Sequence, residues 1–314
     1  MQILVTGATG IVGANLVRTL INQGLSVCVI SRSPQPTLRL AGIDQHISLI
    51  QADLTDVDQV TSAVQSVMPD QVIHLATTPF SPPTTDASTH FNANAIGLLH
   101  LIEAVRLFTP HARVVITGSC AVYSGGSNLS EQLPMNPATT YGASKASASV
   151  IAFTWAQRYQ MSITELRLFT PFGPWERANR LIPSVVLSAL DQQPVEIGAG
   201  LAQRDFVYMD DVIRAIMMAL DHTHLPQVVY NVCSGHGRRV IDVVRQILAM
   251  MGDPVPLIVG ARVDRPDEIL EMSGNNQAAA RDFGWRPAIS FDEGLRRTIQ
   301  WIAEHHDVVR RLTI

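Results

Sequence analysis

Charge is scarce in this chain. Asp, Glu, Lys and Arg together make up 16% of its 314 residues, and the formal net charge is −4. Without a basic excess there is no field to attract nucleic acid or an anionic membrane surface, so neither is expected as a partner. Cysteine is scarcer still. Cys28, Cys120 and Cys233 are odd in number, far apart and without C-x-x-C spacing, which argues against a disulfide framework or a zinc site and fits a reducing compartment. No apolar run is long enough to span a bilayer, and the N-terminus enters a strand with neither a basic n-region nor a cleavage site. A soluble cytoplasmic protein is therefore the expectation. Asp221-His222-Thr223-His224 and His305-His306 lack an H-E-x-x-H arrangement or a matching set of acids or thiols, so they are read as solvated loop histidines and no metal is expected.

Hydrophobic residues, 46% of the chain, fall in short runs. β-rich stretches at Ile3–Val5, Ser26–Ile30, Ile47–Gln51, Gln71–Leu75, Val114–Thr117 and Ile163–Leu168 alternate with helical patterns. Leu16, Val17, Leu20 and Ile21 form one helical stripe closed by Gly24; Asn94–Phe108 and Tyr141–Tyr159 are two more helices. Nearly continuous apolar strands alternating with helices predict a parallel sheet covered on both faces, an α/β Rossmann-type doubly wound fold. After Leu168 the pattern breaks, and TPFGPWERANR reads as a loop. Beyond it come helices at Leu181–Leu190, Val240–Met251 and Phe291–Glu304 and a strand near Val228–Cys233. The expected division is a cofactor domain of residues 1–168 with a returning segment of about 205–233. A smaller mixed α/β substrate lobe, 169–204 and 234–314, would cover the carboxyl edge of the sheet.

Gly7, Gly10 and Gly13 form G-x-x-G-x-x-G between the first strand and the first helix. Glycines allow a tight turn, and backbone N–H groups from Gly10 and Ile11 onward can approach a pyrophosphate at the positive end of the helix. That context predicts a dinucleotide site. The second strand should then end in an acid that binds both ribose hydroxyls, and the acid is missing: the chain has Ser31-Arg32-Ser33. Removing the carboxylate and adding a planar cation suits a 2′-phosphate, so NADP is the expected cofactor. The alternative is NAD, with Arg32 a solvated loop residue.

Tyr141-Gly-Ala-Ser-Lys145 places a phenol and an ammonium four residues apart on one helix face. A neighbouring ammonium lowers a phenol's pKa from its ordinary ~10, preparing it for proton transfer. Upstream, TGSCAVYS ends the fifth strand and offers the Ser119 hydroxyl to polarise a substrate oxygen.

In this order these residues resemble the short-chain dehydrogenase/reductase superfamily. The resemblance implies that Asp53-Leu54 contact adenine, that Leu75 and Ala76 after His74 line the cofactor, and that Asn94 supports the active site. It also implies Ser119, Tyr141 and Lys145 as the catalytic trio. The whole chain is similar to the extended branch that works on nucleotide-diphosphate sugars. In Gln203-Arg204-Asp205-Phe206-Val207-Tyr208, followed by Asp211, Arg204 corresponds to an arginine that meets the substrate diphosphate. Arg265 in Arg265-Pro266-Asp267-Glu268 resembles a second, and AARDFGWRPAISFDEGL resembles the C-terminal signature. Such enzymes commonly dimerise through the two helices that here begin at Asn94 and Tyr141, so a homodimer is implied; Trp155 on the latter reads as core or interface.

The departures narrow the chemistry. Dehydratases of this branch carry a glutamate where this chain has Ala121, preceded by Cys120, so elimination of water lacks its acid. The substrate-contacting asparagine of R-x-x-N-x-Y-G-P is Thr170 here. The leading expectation is an NADPH-dependent reductase of a 4-keto deoxyhexose on a nucleotide diphosphate, similar to abequose-type synthases. Alternatives are a nucleotide-sugar 4-epimerase with bound NAD, a reductase of non-sugar carbonyls, and a cofactor-sensing regulator. Arg204 and Arg265 count against the second; Ser119, Tyr141 and Lys145 count against the last.

Overall fold

A computed structural model describes residues 1–35, 37–78, 86–222, 225–263 and 268–312. Among them the main sheet has seven strands, numbered along the chain as β1 Gln2–Thr6, β2 Ser26–Ser31, β3 Ser48–Gln51, β4 Gln71–His74, β5 Arg113–Ser119, β6 Ile163–Leu168 and β7 Val229–Val232. They are all parallel, in the order β7-β6-β5-β4-β1-β2-β3. This is the doubly wound Rossmann-type sheet.

Alternation along each strand feeds two core layers. Ile3, Val5, Val29, Ile73 and Val115 pack on one face against Leu16, Leu20, Val212 and Ile216. Leu4, Cys28, Ile30, Val72 and Val114 pack on the other against Val60, Leu98, Leu101, Ala148 and Ala152. Helix Val57–Val67 starts where the Asp56 side chain accepts from the N–H groups of Asp58 and Gln59. Helix Thr140–Tyr159 is capped likewise by Thr139, which accepts from Gly142 N–H at 3.0 Å.

A third apolar cluster gathers Phe172, Val186, Phe206, Tyr208, Val244, Ile247 and Leu295. Here the loop expected after Leu168 is corrected: Thr170–Phe172 is a strand, paired in parallel with Phe206–Tyr208. It lies at the edge of a three-stranded sheet, where Pro171's missing N–H costs no ladder bond. Phe172 anchors it, with its ring 5.6 Å from that of Tyr208 and 5.4 Å from that of Phe291.

Asp205 and Asp211 tie this region together. Asp205 accepts from the N–H groups of Ser234, Gly235 and Gly274, and Asp211 from those of Ala288 and Ile289. A second correction concerns the helix expected from Asn94. Asn94 sits inside a π-helical turn, Asn92–Ile96, that leads into helix Gly97–Phe108. Among the described residues no helix is long and apolar enough to cross a membrane.

Candidate functional site

Strand order reverses between β1 and β4, so the carboxyl ends of these neighbours flank the crevice in which open α/β sheets bind ligands. The glycine loop lines it. Gly7 has φ +72°, and a Cβ there would lie 2.4 Å from Ala76 N. A Cβ on Gly13 would lie 2.3 Å from Gly7 O. Both positions are closed to side chains, so the loop lies tight against Leu75 and Ala76. Gly10 caps helix Ile11–Asn22 with extended backbone, no side-chain cap bond and no acid in the first turn. The helix therefore presents open N–H groups and its positive end, a cradle that fits a pyrophosphate.

Ser31 ends β2, and the exposed Arg32 follows it. Asp53 accepts from Thr55 N–H at 2.9 Å and from its hydroxyl at 2.8 Å. The bond from Thr55 N–H, with lesser help from the Thr55 hydroxyl and the Arg32 charge, holds the Asp53 carboxyl below the usual carboxylate range. Arg32 and Asp53 are thus close neighbours at this end of the crevice. The Leu54 carbonyl lies 2.9 Å from His100 Nδ1, tying it to helix Gly97–Phe108.

Sequence reasoning missed Arg39. It is buried beside the loop, donating from Nε to the Trp175 carbonyl at 2.9 Å and from Nη1 to the Thr9 carbonyl at 3.3 Å. Next to it, burial pushes the Glu176 carboxyl up to about 7, against the pull of Arg180, Arg177 and Arg39. The contact of Arg39 with Trp175 spans 136 residues of chain, and no local pattern announces it.

Of the three residues expected to be catalytic, Ser119 and Tyr141 come together. Ser119 ends β5, and its Oγ accepts from Ala121 N–H at 3.1 Å. The Tyr141 hydroxyl hydrogen-bonds with the side chains of Thr77 and Ser119; Thr77 is a second residue that sequence reasoning missed. The phenol's pKa is the correction. Burial raises it above its ordinary value, and the bonds to Thr77 and Ser119 offset this only in part. The Lys145 ammonium was expected to lower that pKa, but it points to the sheet and donates to the Thr117 carbonyl at 2.6 Å. Four-residue spacing sets the helix face that a side chain starts from; where a long lysine ends is set by the sheet beneath. Burial brings the Lys145 pKa down to about 8, with Glu165 opposing the fall.

Asn94 holds the frame. Its Oδ1 accepts from the Thr77 hydroxyl at 2.9 Å and from Thr78 N–H at 3.0 Å, while its Nδ2 donates to Ser144 Oγ at 2.8 Å. Facing the trio, Arg180 acts on the Tyr141 phenol and Arg204 on the Cys120 thiol. Arg204 also donates to the Ile269 carbonyl at 2.7 Å and pairs with Glu268 at 3.0 Å. Thr170 is half-buried on its edge strand. Arg265 and Asp267 lie outside the described residues, as do Thr223 and His224.

A Gly-rich cradle at a sheet switch point, with a Ser–Tyr–Lys group at the end of the neighbouring strand, defines a nucleotide-dependent enzyme of the short-chain dehydrogenase type. Residues 3–233 match the model of the NAD dependent epimerase/dehydratase family, and the chain belongs to that family. It is 27% identical to a probable dTDP-glucose 4,6-dehydratase of Sinorhizobium fredii, over 97% of this chain and 93% of that protein. It is 25% identical to UDP-glucuronate 4-epimerase 1 of Arabidopsis thaliana, over 98% of this chain and 77% of that one. Among solved structures it resembles DesIV, a dTDP-glucose 4,6-dehydratase from Streptomyces venezuelae with NAD and TYD bound, at 25% identity. The TM-score is 0.87, with all of both chains covered.

Proposed function

We propose that the protein is an NADPH-dependent reductase of a 4-keto hexose carried on a nucleotide diphosphate. The observation that carries this reading is the composition of the site. A half-buried Tyr141 phenol is bonded to Ser119 and Thr77, and the adjoining turn has Ala121 where the relatives' elimination chemistry would need an acid.

In this reading Gly7, Gly10, Ile11 and Gly13 hold the cofactor's pyrophosphate, and Ser31 and Arg32 its 2′-phosphate. Asp53 and Leu54 take the adenine; Leu75, Ala76, Asn94, Tyr141 and Lys145 line the nicotinamide end. The bound cofactor supplies the hydride. Tyr141 supplies the proton, and its raised pKa keeps that proton in place at neutral pH, ready for a carbonyl oxygen. Ser119 orients the carbonyl. Lys145 holds positive charge beneath the reacting groups, and Arg204, Arg265 and Thr170 face the sugar nucleotide, the two arginines its diphosphate. Residues 1–168 with about 205–233 serve as the cofactor domain, and 169–204 with 234–314 as the substrate lobe. Free, unpaired thiols at Cys28, Cys120 and Cys233 suit a cytoplasmic setting. Exposed Val150 and Phe153 on helix Thr140–Tyr159 and Leu107 on helix Gly97–Phe108 suit a homodimer.

The test is to mix purified protein, NADPH and a 4-keto sugar nucleotide. A reductase consumes NADPH in equal amount with the sugar. The second reading, a 4-epimerase, is favoured by the epimerase among the relatives. Protein that carries NAD and interconverts 4-hydroxyl epimers with no cofactor added would establish it instead.

A further inference from the structure

Beneath Lys145 the interior holds a group of polar side chains that the proposed chemistry does not use. Glu165, in the middle of β6, is fully buried. Its Oε1 accepts from the Ser149 hydroxyl at 2.6 Å and from Arg167 Nε at 3.2 Å. Its Oε2 is buried and has no hydrogen-bond partner among the described residues. A bare carboxylate oxygen in a protein interior is costly unless a charge answers it.

That charge is close by. Lys145 and Ser149 stand four residues apart on one face of helix Thr140–Tyr159, the face that looks onto β5 and β6. Both line a cavity of about 10 Å³ together with His74, Asn94, Thr117 and Glu165. This is room for about one water. Gly118 leaves space on the same side: a Cβ there would fall 2.2 Å from Glu165 Oε1. The strand is built around this carboxylate.

We infer that Glu165 is a positioning residue for the reaction, holding Lys145 charged across this cavity through a single internal water that bridges Glu165 Oε2 and Lys145 Nζ. The inference rests on the proposed role of Lys145 as the cation of a hydride-transfer site. Two buried cations, Lys145 and Arg167, then share one buried carboxylate. The other groups facing Lys145 add no negative charge. His74 on β4 is kept neutral, its pKa brought down to about 3 by burial and by Lys145 itself. Cys120, in the turn after β5, is a thiol pushed up to about 12 by burial. Tyr141 keeps its proton. Among the described residues, Glu165 is the acid that supports its charge.

Lys145 is the chain's only lysine, so protein grown on lysine labelled with ¹³C at Cε gives one lysine signal. Its pH titration reads the ammonium directly in the intact chain. The wild type should titrate near pH 8, and Glu165→Gln about 1 unit or more lower. The alkaline limb of the kcat profile should move with it. A side chain that only braces Arg167 would leave the lysine titration where it was, and an unchanged midpoint in Glu165→Gln overturns the proposal. If that variant does not fold, the wild type still decides. A buried lysine without a counter-charge titrates at about 5–6, and a wild-type midpoint in that range is equally fatal. Glu165→Asp keeps the charge and should fall between the two. The titration needs no substrate, so its failure leaves the reductase reading standing. Conversely, a protein that reduces no keto sugar leaves the titration intact.

Discussion

Asn94 donates to the Ser144 hydroxyl at 2.8 Å, and Ser144 donates onward to the Tyr141 carbonyl at 2.7 Å. With its other end Asn94 accepts from the Thr77 hydroxyl and from Thr78 N–H. One amide therefore fixes both the helix carrying the phenol and the strand end carrying Thr77. Asn94→Ala takes this partner from the buried Ser144 hydroxyl and from the more open Thr77 and Thr78 groups, and should cost about 1–3 kcal/mol in urea unfolding. It should also lower kcat by about 10²-fold, because the Thr77–Tyr141 alignment loosens, while the KM for a sugar nucleotide stays put. Asn94→Asp keeps the acceptor and loses the donor, so it should recover part of both losses.

Arg32 is exposed at the end of β2, beside Asp53. If it grips a 2′-phosphate, one charged hydrogen bond of about 1.5–3 kcal/mol is at stake. Arg32→Ala should then weaken NADPH by about 10- to 100-fold and leave NADH nearly unchanged, read by fluorescence titration. Equal losses for both cofactors, or a wild type that prefers NADH, would end the NADP assignment. Asp53 makes this a sharp test, since its carboxylate stands close enough to repel a phosphate that Arg32 does not neutralise.

How much of this was legible in the sequence divides along physical lines. The strands were legible because residues such as Val27–Ile30 are apolar on both faces. The cradle was legible because Gly7 and Gly13 occupy places where no side chain fits. Ser119 and Tyr141 meet because strand ends and helix starts are set by local pattern. What escaped depends on where side chains end after packing. The direction of Lys145, the partnership of Thr77 with Tyr141 and the burial of Arg39 are contacts across long stretches of chain. Asp205 and Asp211 belong to a segment read for its substrate arginine, yet both bind backbone N–H groups from later in the chain. Acids that hold a fold and acids that do chemistry look alike in one dimension.

His74 gives the protein an acid sensitivity. It shares a hydrogen bond with the Thr6 hydroxyl at 2.8 Å, and burial brings its pKa down to about 3. The unfolded chain takes up this proton near pH 6.5 and the folded one near 3. Folding stability is thus complete above about 6.5 and falls as the pH drops toward 3. Between pH 6.5 and 4.5 the loss should be about 2–3 kcal/mol, at about 1.4 kcal/mol per unit. His74→Gln removes the titrating group and should flatten that limb in urea melts taken across the range. A wild-type limb as flat as the variant's would mean that His74 is not held neutral.

The last prediction concerns the proton itself. Tyr141→Phe keeps the ring and its edge contact with His90, 5.8 Å away, and removes only the hydroxyl bonded to Ser119 and Thr77. Turnover should fall by about 10²- to 10⁴-fold with NADPH binding intact, because a positioned general acid is gone. Ser119→Ala should cost less, since Tyr141 still polarises the carbonyl. Lys145→Met should do damage comparable to that of Tyr141→Phe, and its fold should survive better than that of Glu165→Gln: it leaves Glu165 paired with Arg167, where the other leaves two buried cations without a carboxylate. Single-turnover oxidation of bound NADPH by a 4-keto sugar nucleotide compares all three with the wild type. Wild-type rates in Tyr141→Phe would mean that the proton comes from elsewhere, and the phenol would then be a support for the site and not its acid.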